Sequence, residues 1–248
     1  MNEDRSCALG RIEQMIRYTV WSSGSSGLVI GMSGGVDSAV AAAMCCRAMG
    51  GSRVLGLTIP TRVTRPEDLD DAAMLCEQLS MKHVVISIDG ILDAYRSIPE
   101  YSESPYLAGN LMARTRMAIL YYYANREGRL VCGTSNRTEY MLGYCTKYGD
   151  NAADIQPILH LYKTEVYDAA RYLGIPETII EKTPSAGLWA GQSDEEELGL
   201  TYPDIDSALI ALDKNGWKSA SAIEERVLSF VKKSEHKRLD PPNLLGIL

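Results

Sequence analysis

The sequence predicts an α/β protein: a doubly wound, mostly parallel five-stranded sheet with helices on both faces and a helical C-terminal extension. Short apolar stretches alternate with helical patterns as far as about residue 175, which favours βαβ units and a parallel sheet. The chain has 248 residues, 46% of them apolar, which is enough for one sizeable core. Beyond residue 175 the pattern indicates helices but no strands.

Five apolar stretches predict the strands. The first follows a serine–glycine loop, and the second ends at Pro60, which cannot continue a ladder of backbone hydrogen bonds. The fifth follows a turn-like segment. They are LVIGM (28–32), RVLGLTIP (53–60), HVVISI (83–88), RLVCGT (129–134) and a short strand at the end of YGDNAADIQPI (148–158).

Helical segments lie around these strands. Apolar residues recur at helical spacing from Leu9 to Val20 in the first of them. The second helix begins with Asp37 and Ser38, and the third begins with Pro66 and acids, both of which favour a helix start. The predicted helices cover about 5–21, 37–49, 66–80, 110–128, 163–176, 202–216 and 219–237.

Three segments are predicted as irregular. One of them contains four consecutive acids at 194–197, which we interpret as a solvated face. We expect a single domain with a core over about 8–183, followed by a lid loop and a helical part over about 184–248. The irregular segments are 97–109, 183–200 and the tail 238–248.

Composition and charge exclude several classes of protein. The net charge of −7 argues against nucleic acid as the main partner. No apolar run approaches the roughly 20 residues of a membrane span, and Glu3 and Asp4 do not suit a signal peptide. We therefore expect a cytoplasmic protein with neither a nucleic-acid nor a membrane partner.

The six cysteines and three histidines form no metal-binding pattern. No C-x-x-C pair occurs, and the histidines have no ligand spacing with the cysteines. In a cytoplasmic chain this predicts reduced, buried thiols and no zinc site.

The stretch GMSGGVDS (31–38) lies between the first strand and the second helix. Gly34 and Gly35 allow positive φ and close approach of the backbone, so successive N–H groups can converge on a phosphate at the helix N-terminus. Asp37 would repel that phosphate unless a divalent cation, most suitably Mg²⁺, lay between them. A plain strand–helix turn is the alternative, but the full S-G-G-x-D-S pattern in this setting favours a phosphate site.

This loop is neither G-x-x-x-x-G-K-[ST] nor G-x-G-x-x-G. It resembles the loop of ATP pyrophosphatases (PP-loop enzymes), which cleave ATP between the α- and β-phosphates. Longer stretches together resemble ammonia-dependent NAD synthetase from about residue 8 to residue 242. These are YLAGNLMARTRMAILYYYA (106–124), GTSNRTEYMLGYCTKYGDNAADIQPI (133–158), LYKTEVYDAARYLGIP (161–176), TPSAGLWAGQSDEEELGLTYPDID (183–206) and EHKR (235–238).

The resemblance implies a ligase. ATP would adenylate the nicotinate carboxylate of deamido-NAD and release pyrophosphate, and ammonia would then attack the acyl-adenylate to give NAD and AMP. A carboxylate is a poor acyl donor, and adenylation supplies the leaving group. A cation and oriented donors would offset the repulsion between the two anionic substrates. No stretch resembles a nitrilase-type glutaminase, so free ammonia is the expected nitrogen donor.

The resemblance also assigns roles to individual residues. Asp37 and Glu139 match metal-binding carboxylates, and with Lys163 they form the expected catalytic group. Without the resemblance, Glu139 would be a solvated helix-start acid and Lys163 a surface lysine. The ATP site is expected at Gly31, Met32, Ser33, Gly34, Gly35, Val36, Asp37, Ser38, Thr134, Lys163 and Ser185. The deamido-NAD site is expected at Tyr106, Asn110, Arg114, Lys147, Asp154, His236 and Lys237, with Asp150 as a weaker candidate.

Three positions depart from the common pattern of the family. Ser185 stands where threonine is common and keeps the hydroxyl group. Tyr106 stands where phenylalanine is more usual, and either ring can stack on the nicotinate. The stretch GTSNRTE (133–139) lacks the histidine of the GTDHxxE form and resembles an archaeal-like variant, which leaves the carboxylate of Glu139 in place.

The resemblance implies a homodimer with the dinucleotide bound across the interface. The helix 110–126 has an apolar face with Met117, Leu120 and Tyr121 that suits such an interface, although plain core packing explains that face as well. The loop 186–201 would act as a lid that keeps water from the acyl-adenylate.

Two rival functions remain compatible with the loop. One is another PP-loop enzyme, either an amidotransferase synthetase domain acting on a nucleotide base or a tRNA-modifying ligase; charge and the absence of paired cysteines disfavour the latter. The other is a non-catalytic sensor of adenine nucleotides, against which the joint presence of Asp37, Glu139 and Lys163 argues.

Overall fold

The structure is a computed structural model that describes residues 2–189 and 191–243. Within these residues the sheet has four strands in the order β3-β2-β1-β4, and all the pairings are parallel. The predicted α/β fold with a parallel sheet is confirmed. The strands are β1 (Leu28–Gly31), β2 (Val54–Thr58), β3 (Lys82–Val85) and β4 (Leu130–Cys132).

Helices connect and cover these strands. The longer helices agree with the predicted ones to within a few residues at most of their ends. They are α1 (Asn2–Ser22), α2 (Val36–Met49), α3 (Pro66–Gln78), α4 (Asp89–Tyr95), α5 (Pro105–Glu127), α6 (Arg137–Leu142), α7 (Lys163–Leu173), α8 (Glu177–Ile180), α9 (Asp194–Leu198), α10 (Tyr202–Lys214) and α11 (Ala222–Lys233).

The prediction of a fifth strand was wrong. The segment after β4 forms only one isolated parallel bridge, between Cys132 and Ile155. The carboxylate of Asp154 accepts the Val131 backbone N–H at 2.7 Å, so a side chain takes the place of a backbone carbonyl in the ladder. Pro157 follows two residues after the bridge and has no N–H to donate. The ladder therefore ends after one rung.

Four short helices were not predicted: α4, α6, α8 and α9. Each has too few turns for an apolar period to be recognised in the sequence. In addition, α5 begins at Pro105, so the last residues of the predicted loop 97–109 are helical. Proline at the first position of a helix is favourable because the N–H that it lacks would have no partner there.

The sheet and its helices bury two apolar clusters. In one of them, helix α2 contributes a run of fully buried small residues, among them Ala41 and Ala42, which let it lie close to β1 and α1. A third apolar cluster joins α10 and α11 to α6 and includes Leu209 and Val227. The C-terminal helices therefore have a core of their own, close to the edge of the sheet where the candidate site lies.

All six cysteines are free thiols, as predicted. Cys45, Cys76 and Cys132 are buried, whereas Cys7 is exposed, contrary to the expectation that all would be buried. Across residues 2–189 and 191–243, no helix combines the length and apolar composition of a membrane span. The last five residues of the predicted irregular tail, 244–248, lie outside the described residues.

Candidate active site

The loop 32–35 connects the carboxyl end of β1 to the N-terminus of α2. The Ser38 hydroxyl donates to the Gly35 carbonyl at 2.9 Å, and the Gly35 N–H donates to the Ser33 hydroxyl at 3.2 Å. The two hydroxyls lie 3.1 Å apart. These bonds fold the loop against the first turn of α2, whose N–H groups have no partner within the helix. Backbone amides in this arrangement are suited to bind an anion.

Gly34 requires the absence of a side chain. Its φ is +75°, and a Cβ atom at this position would lie 2.4 Å from the Asp68 carbonyl oxygen. Any larger residue would therefore push α3 away from the loop, in addition to the strain of a positive φ. The glycine that the sequence singled out serves close packing between the loop and α3.

The three expected catalytic side chains meet at the helix end of this loop. The ammonium group of Lys163 lies 2.5 Å from an Asp37 carboxylate oxygen and 3.1 Å from a Glu139 carboxylate oxygen. Asp37 is in the first turn of α2, Glu139 is in α6 after β4, and Lys163 begins α7. Because β1 and β4 are parallel neighbours, the segments that follow them converge at one edge of the sheet. Lys163 is only 3% exposed, so it is not a surface lysine.

Buried polar residues hold these three side chains in place; we refer to Asp37, Glu139 and Lys163 as the triad. The Asn136 side chain donates to the Asp37 carboxylate at 2.8 Å and accepts the Glu139 backbone N–H at 2.9 Å, so one residue caps α6 and orients the Asp37 carboxylate. The Thr138 hydroxyl accepts the Lys163 backbone N–H at 2.9 Å and donates to Asp206 at 2.5 Å. Helix α10, which carries Asp206, therefore supports the start of α7. The sequence analysis missed these supporting residues, because only tertiary contact gives them a role.

Burial and charge shift the titration of the triad. Burial raises the pKa of the Glu139 carboxyl to about 7; Lys163 opposes this rise and the Asp37 carboxylate adds to it. Burial would lower the Lys163 pKa, but the carboxylates of Asp37 and Glu139 outweigh it and raise that pKa above its ordinary value. Lys163 therefore stays protonated. A second cation near Glu139 would lower the pKa of the Glu139 carboxyl and so favour the carboxylate.

The residues present fit a bound Mg²⁺. Asp37 and Glu139 supply two carboxylates that already converge on one cation, and Mg²⁺ is commonly held by one or two carboxylates together with substrate phosphates and water. Among the described residues there is no cluster of three or more histidine, cysteine or acidic side chains that could form an all-protein site. The remaining ligands of Mg²⁺ would therefore come from phosphate oxygens and water.

A cavity of about 570 Å³ opens above the loop and the triad. Its volume is in the range of small-ligand sites. Of the eleven residues expected at the ATP site, all except Gly34 line it, and Gly34 is covered by α3. Thr134 and Ser185, which are distant from the loop in sequence, are among them. The cavity thus brings the sequence-predicted ATP residues together.

The residues expected to bind the dinucleotide are spread more widely. Tyr106 and Asn110 line both the cavity and an adjoining groove of about 410 Å³, and Arg114 lines the groove. Lys237 lines the cavity, where its ammonium group donates to the carbonyls of Gly143 and Cys145. The structure therefore places the first turns of α5 between the two openings.

Three further predicted residues lie outside the cavity lining. The Lys147 ammonium donates to the His236 backbone carbonyl, and the Arg114 guanidinium donates to the Lys147 carbonyl at 3.3 Å. Asp154 is engaged with β4 through the Val131 N–H and also accepts a hydrogen bond from Tyr121. Lys147 and His236 thus form one group beside Arg114, and Asp154 stands apart from it.

Lys182 was not singled out from the sequence. Its ammonium group donates to the Gly34 carbonyl at 3.0 Å, to Asp68 at 2.8 Å, and contacts Asp71 at 2.5 Å. It therefore fastens the phosphate loop to the first turns of α3. A lysine in EKTP has no local signal for such a role, since its partners come from 148 and 114 residues away.

The acid run 194–197 is not simply a solvated face. Asp194 is buried and accepts hydrogen bonds from the Tyr202 hydroxyl at 2.9 Å, the Tyr144 hydroxyl at 3.1 Å and the Ala186 N–H at 3.0 Å. Tyr144 also donates to Glu197. These bonds hold the loop that contains Ser185 and Ala186 over the cavity.

The fold and the site define the class of this protein. A phosphate loop of S-G-G-x-D-S type at the carboxyl edge of a parallel sheet, followed by a carboxylate in the first helical turn, is the arrangement of a PP-loop ATP pyrophosphatase.

Comparison with known proteins specifies the family. The sequence profile of NAD synthase matches residues 8–241. An NH₃-dependent NAD⁺ synthetase from Methanoregula boonei is 61% identical to this chain in an alignment that covers 100% of each of the two chains. The structure of an NMN synthetase from Francisella tularensis has a TM-score of 0.88 at 37% identity, and covers 96% of this chain and 97% of its own. The NH₃-dependent NAD synthetase from Campylobacter jejuni, in complex with nitrate, has a TM-score of 0.83 at 35% identity, with coverages of 96% and 98%. The chain belongs to the NAD synthase family.

Proposed function

We propose that this chain is an ammonia-dependent NAD synthetase. ATP adenylates the nicotinate carboxylate of deamido-NAD and pyrophosphate leaves; ammonia then displaces AMP from the acyl-adenylate to give NAD. The observation that carries the proposal is the convergence of the phosphate loop with Asp37, Lys163 and Glu139 on one cavity, in a chain of the NAD synthase family.

The residues of the site have separable tasks in this reaction. The loop amides and the N-terminus of α2 bind the phosphates of ATP. Lys163 supplies a fixed positive charge beside the pyrophosphate that leaves, and Asp37 and Glu139 would hold Mg²⁺. When bound, Mg²⁺ neutralises phosphate charge and makes the α-phosphorus more open to attack.

We propose that the loop residues Ala186, Leu188 and Gln192 belong to the lid of the site. All three line the cavity, and the position of Ala186 is fixed through Asp194. An acyl-adenylate is hydrolysed by water, so a cover that admits ammonia and excludes bulk water protects the product. The lid would open for substrates and close for the chemistry.

We further propose that the dinucleotide extends from the cavity into the groove along α5 and reaches Arg114, Lys147 and His236. Hydrogen bonds to the backbone carbonyls of Lys147 and His236 bring these three residues together, and basic side chains suit the pyrophosphate bridge of a dinucleotide. Tyr106 is 70% exposed at the groove, which supports a role in stacking or in a homodimer interface. Leu120 and Tyr121 pack on the core, so the proposed interface would use the exposed start of α5 instead. The free thiols suit the proposed cytoplasmic location.

Pyrophosphate release tests the proposed function. The protein is incubated with ATP, Mg²⁺ and ammonia, with deamido-NAD, nicotinate mononucleotide or no acceptor. Release that requires deamido-NAD and yields NAD supports the proposal. A preference for the mononucleotide would instead assign NMN synthesis, the activity named for the Francisella relative. Absence of turnover with either acceptor would favour a sensor or another PP-loop ligase.

Replacement of Lys147 should weaken binding of the dinucleotide. We expect Lys147→Ala to raise the KM for deamido-NAD about tenfold, which corresponds to roughly 1.4 kcal/mol, and to leave the KM for ATP nearly unchanged. The reason is that Lys147 lies beside Arg114 and His236 and does not line the cavity above the phosphate loop. Steady-state kinetics with each substrate varied in turn measures both constants. The exposed Lys218→Ala is the matched control, and a larger effect on ATP than on deamido-NAD would move Lys147 to the nucleotide site.

Replacement of Lys182 should loosen the phosphate loop. In Lys182→Met the Gly34 carbonyl loses its donor and the carboxylates of Asp68 and Asp71 lose their shared cation. We expect the affinity for Mg²⁺–ATP to fall about tenfold, because repulsion near the bound phosphates increases and the loop amides are less well ordered. Calorimetric titration with ATP measures the affinity, with Lys232→Met on the exposed face of α11 as control. An unchanged affinity for Mg²⁺–ATP in a stable Lys182→Met protein would show that Lys182 does not order the phosphate loop for ATP binding.

A further inference from the structure

Arg116 is a cation in the cavity that forms no ion pair with the residues that the structure describes. It lies on α5 and lines the cavity. Its guanidinium makes one hydrogen bond to the residues that the structure describes, from Nε to the Ile59 carbonyl at 3.0 Å. Its two terminal nitrogens have no hydrogen-bond partner among the residues that the structure describes. Neither the sequence motifs nor the triad accounts for this residue.

The energetics favour an anion at this position. Arg116 is partly buried, and burial lowers its pKa, although the nearby Asp150 carboxylate partly offsets the effect. A guanidinium removed from water without a paired charge destabilises the free protein. The hydrogen bond from Nε to the Ile59 carbonyl restricts the orientation of the planar guanidinium. The two terminal nitrogens can then donate two parallel hydrogen bonds to a phosphate or carboxylate.

The position of Arg116 along α5 indicates which anion it meets. Asn110, expected at the dinucleotide, is six residues before it, or about 9 Å along the helix axis. Leu120 is one turn after it and packs against Gly31, where a Cβ would lie 3.7 Å from the leucine side chain. Ile59 follows β2, whose neighbour β1 leads into the loop. Arg116 therefore stands between the dinucleotide residues and the strand end of the phosphate loop.

The triad is at the other end of the same loop. Asp37 and Lys163 lie at the N-terminus of α2, where the β- and γ-phosphates are expected to bind. The α-phosphate would then lie toward the strand end, on the side of Arg116. This is where the nicotinate carboxylate must approach for adenylation.

We propose that Arg116 binds the oxyanion at the junction of the two substrates, through the α-phosphate of ATP and the nicotinate carboxylate that joins it. The inference rests on the proposed function. A carboxylate oxygen attacks the α-phosphorus, the bond to the bridging oxygen of the β-phosphate breaks, and its electron pair leaves with pyrophosphate; no proton is transferred. Arg116 reduces the repulsion between the two anions as they approach, and stabilises the charge on the α-phosphoryl oxygens.

Three variants test the role of Arg116: Arg116→Gln, Arg116→Lys and, as control, Arg126→Gln at the exposed end of the same helix. We expect Arg116→Gln to lower kcat/KM for deamido-NAD-dependent pyrophosphate release about 100-fold, as for loss of a transition-state donor. Arg116→Lys should recover part of this loss, since it keeps the charge but not the planar pair of donors. Arg126→Gln should stay within twofold of the wild type.

Equilibrium titrations of each variant with Mg²⁺–ATP and with deamido-NAD separate the two sources of the oxyanion. Weaker ATP binding by Arg116→Gln assigns the α-phosphate, and weaker deamido-NAD binding assigns the carboxylate. A loss of kcat with neither affinity changed assigns a contact made in the transition state. All three support the inference.

A folded Arg116→Gln protein with kcat/KM and both affinities within threefold of the wild type would overturn the inference and leave Arg116 as a support for Ile59. If Arg116→Gln does not fold, Arg116→Lys decides: a loss of tenfold or more in kcat/KM at an unchanged Tm supports the role, and wild-type kcat/KM contradicts it. If the wild type itself releases no pyrophosphate with deamido-NAD, the proposed function fails. The ATP titration then still tests Arg116, and unchanged affinity counts against it.

Discussion

Replacement of Asp37 by asparagine is expected to lower kcat by about 10²- to 10³-fold while the fold survives, the size of effect seen when one charged transition-state contact is lost. Asp37 is the only carboxylate in the stretch 31–38, and its oxygens contact the Lys163 ammonium at 2.5 Å and the Asn136 amide at 2.8 Å. An amide has nearly the same shape but lacks the negative charge. It would therefore bind Mg²⁺ poorly beside the phosphates of ATP.

Pyrophosphate release at saturating ATP and deamido-NAD, over a range of Mg²⁺ concentrations, measures this effect. Circular dichroism and Tm report whether Asp37→Asn is folded. The matched control is Asp70→Asn, which makes the same change at an exposed position of α3. Unchanged kcat for Asp37→Asn at saturating Mg²⁺ would contradict the metal-binding role of Asp37.

Replacement of Lys163 by methionine is expected to affect stability as well as activity. The side chain is 3% exposed and is the shared counter-ion of Asp37 and Glu139. Removal of one partner from a buried ion pair costs about 3–5 kcal/mol because the remaining charges are left uncompensated. Here two carboxylates would face each other, so we expect a lower free energy of unfolding together with loss of turnover.

The Lys163→Met variant also reports on the metal. If Asp37 and Glu139 can hold Mg²⁺, the ion should replace the missing ammonium and raise the Tm of the variant more than that of the wild type, because a ligand that binds the native state stabilises it. Differential scanning calorimetry with and without Mg²⁺ measures this difference, with Lys232→Met as the control. A Tm equal to that of the wild type in the absence of Mg²⁺ would show that Lys163 does not neutralise the pair.

The sequence predicted the regular part of the fold well. β1, β2 and β4 are buried apolar runs bounded by glycine, proline or turns, and α7, α10 and α11 have apolar residues at clear helical spacing. The prediction of a fifth strand was wrong because the Asp154 carboxylate, and not a backbone carbonyl, accepts the Val131 N–H. Such a substitution has no signature in a hydrophobic pattern.

The candidate site was predictable to a different degree at each residue. Asp37 could be found from local chemistry, since a carboxylate beside a phosphate-binding loop would repel the phosphate unless a divalent cation lay between them. Glu139 does begin a helix, as its sequence context suggests, and only the fold brings it to Lys163. Lys182 and Arg116 have no local signal, because their partners come from other segments. Charged side chains acquire such roles through tertiary contact.

A crystal structure of the protein with Mg²⁺ and α,β-methylene-ATP, which cannot be cleaved between the α- and β-phosphates, tests the central claim most directly. We expect the phosphates to accept hydrogen bonds from the backbone N–H groups of residues 33–38, and Mg²⁺ to bridge them to Asp37 and Glu139. A loop that stays empty while the nucleotide binds elsewhere would contradict the assignment of ATP to this site and, with it, the proposed synthetase reaction.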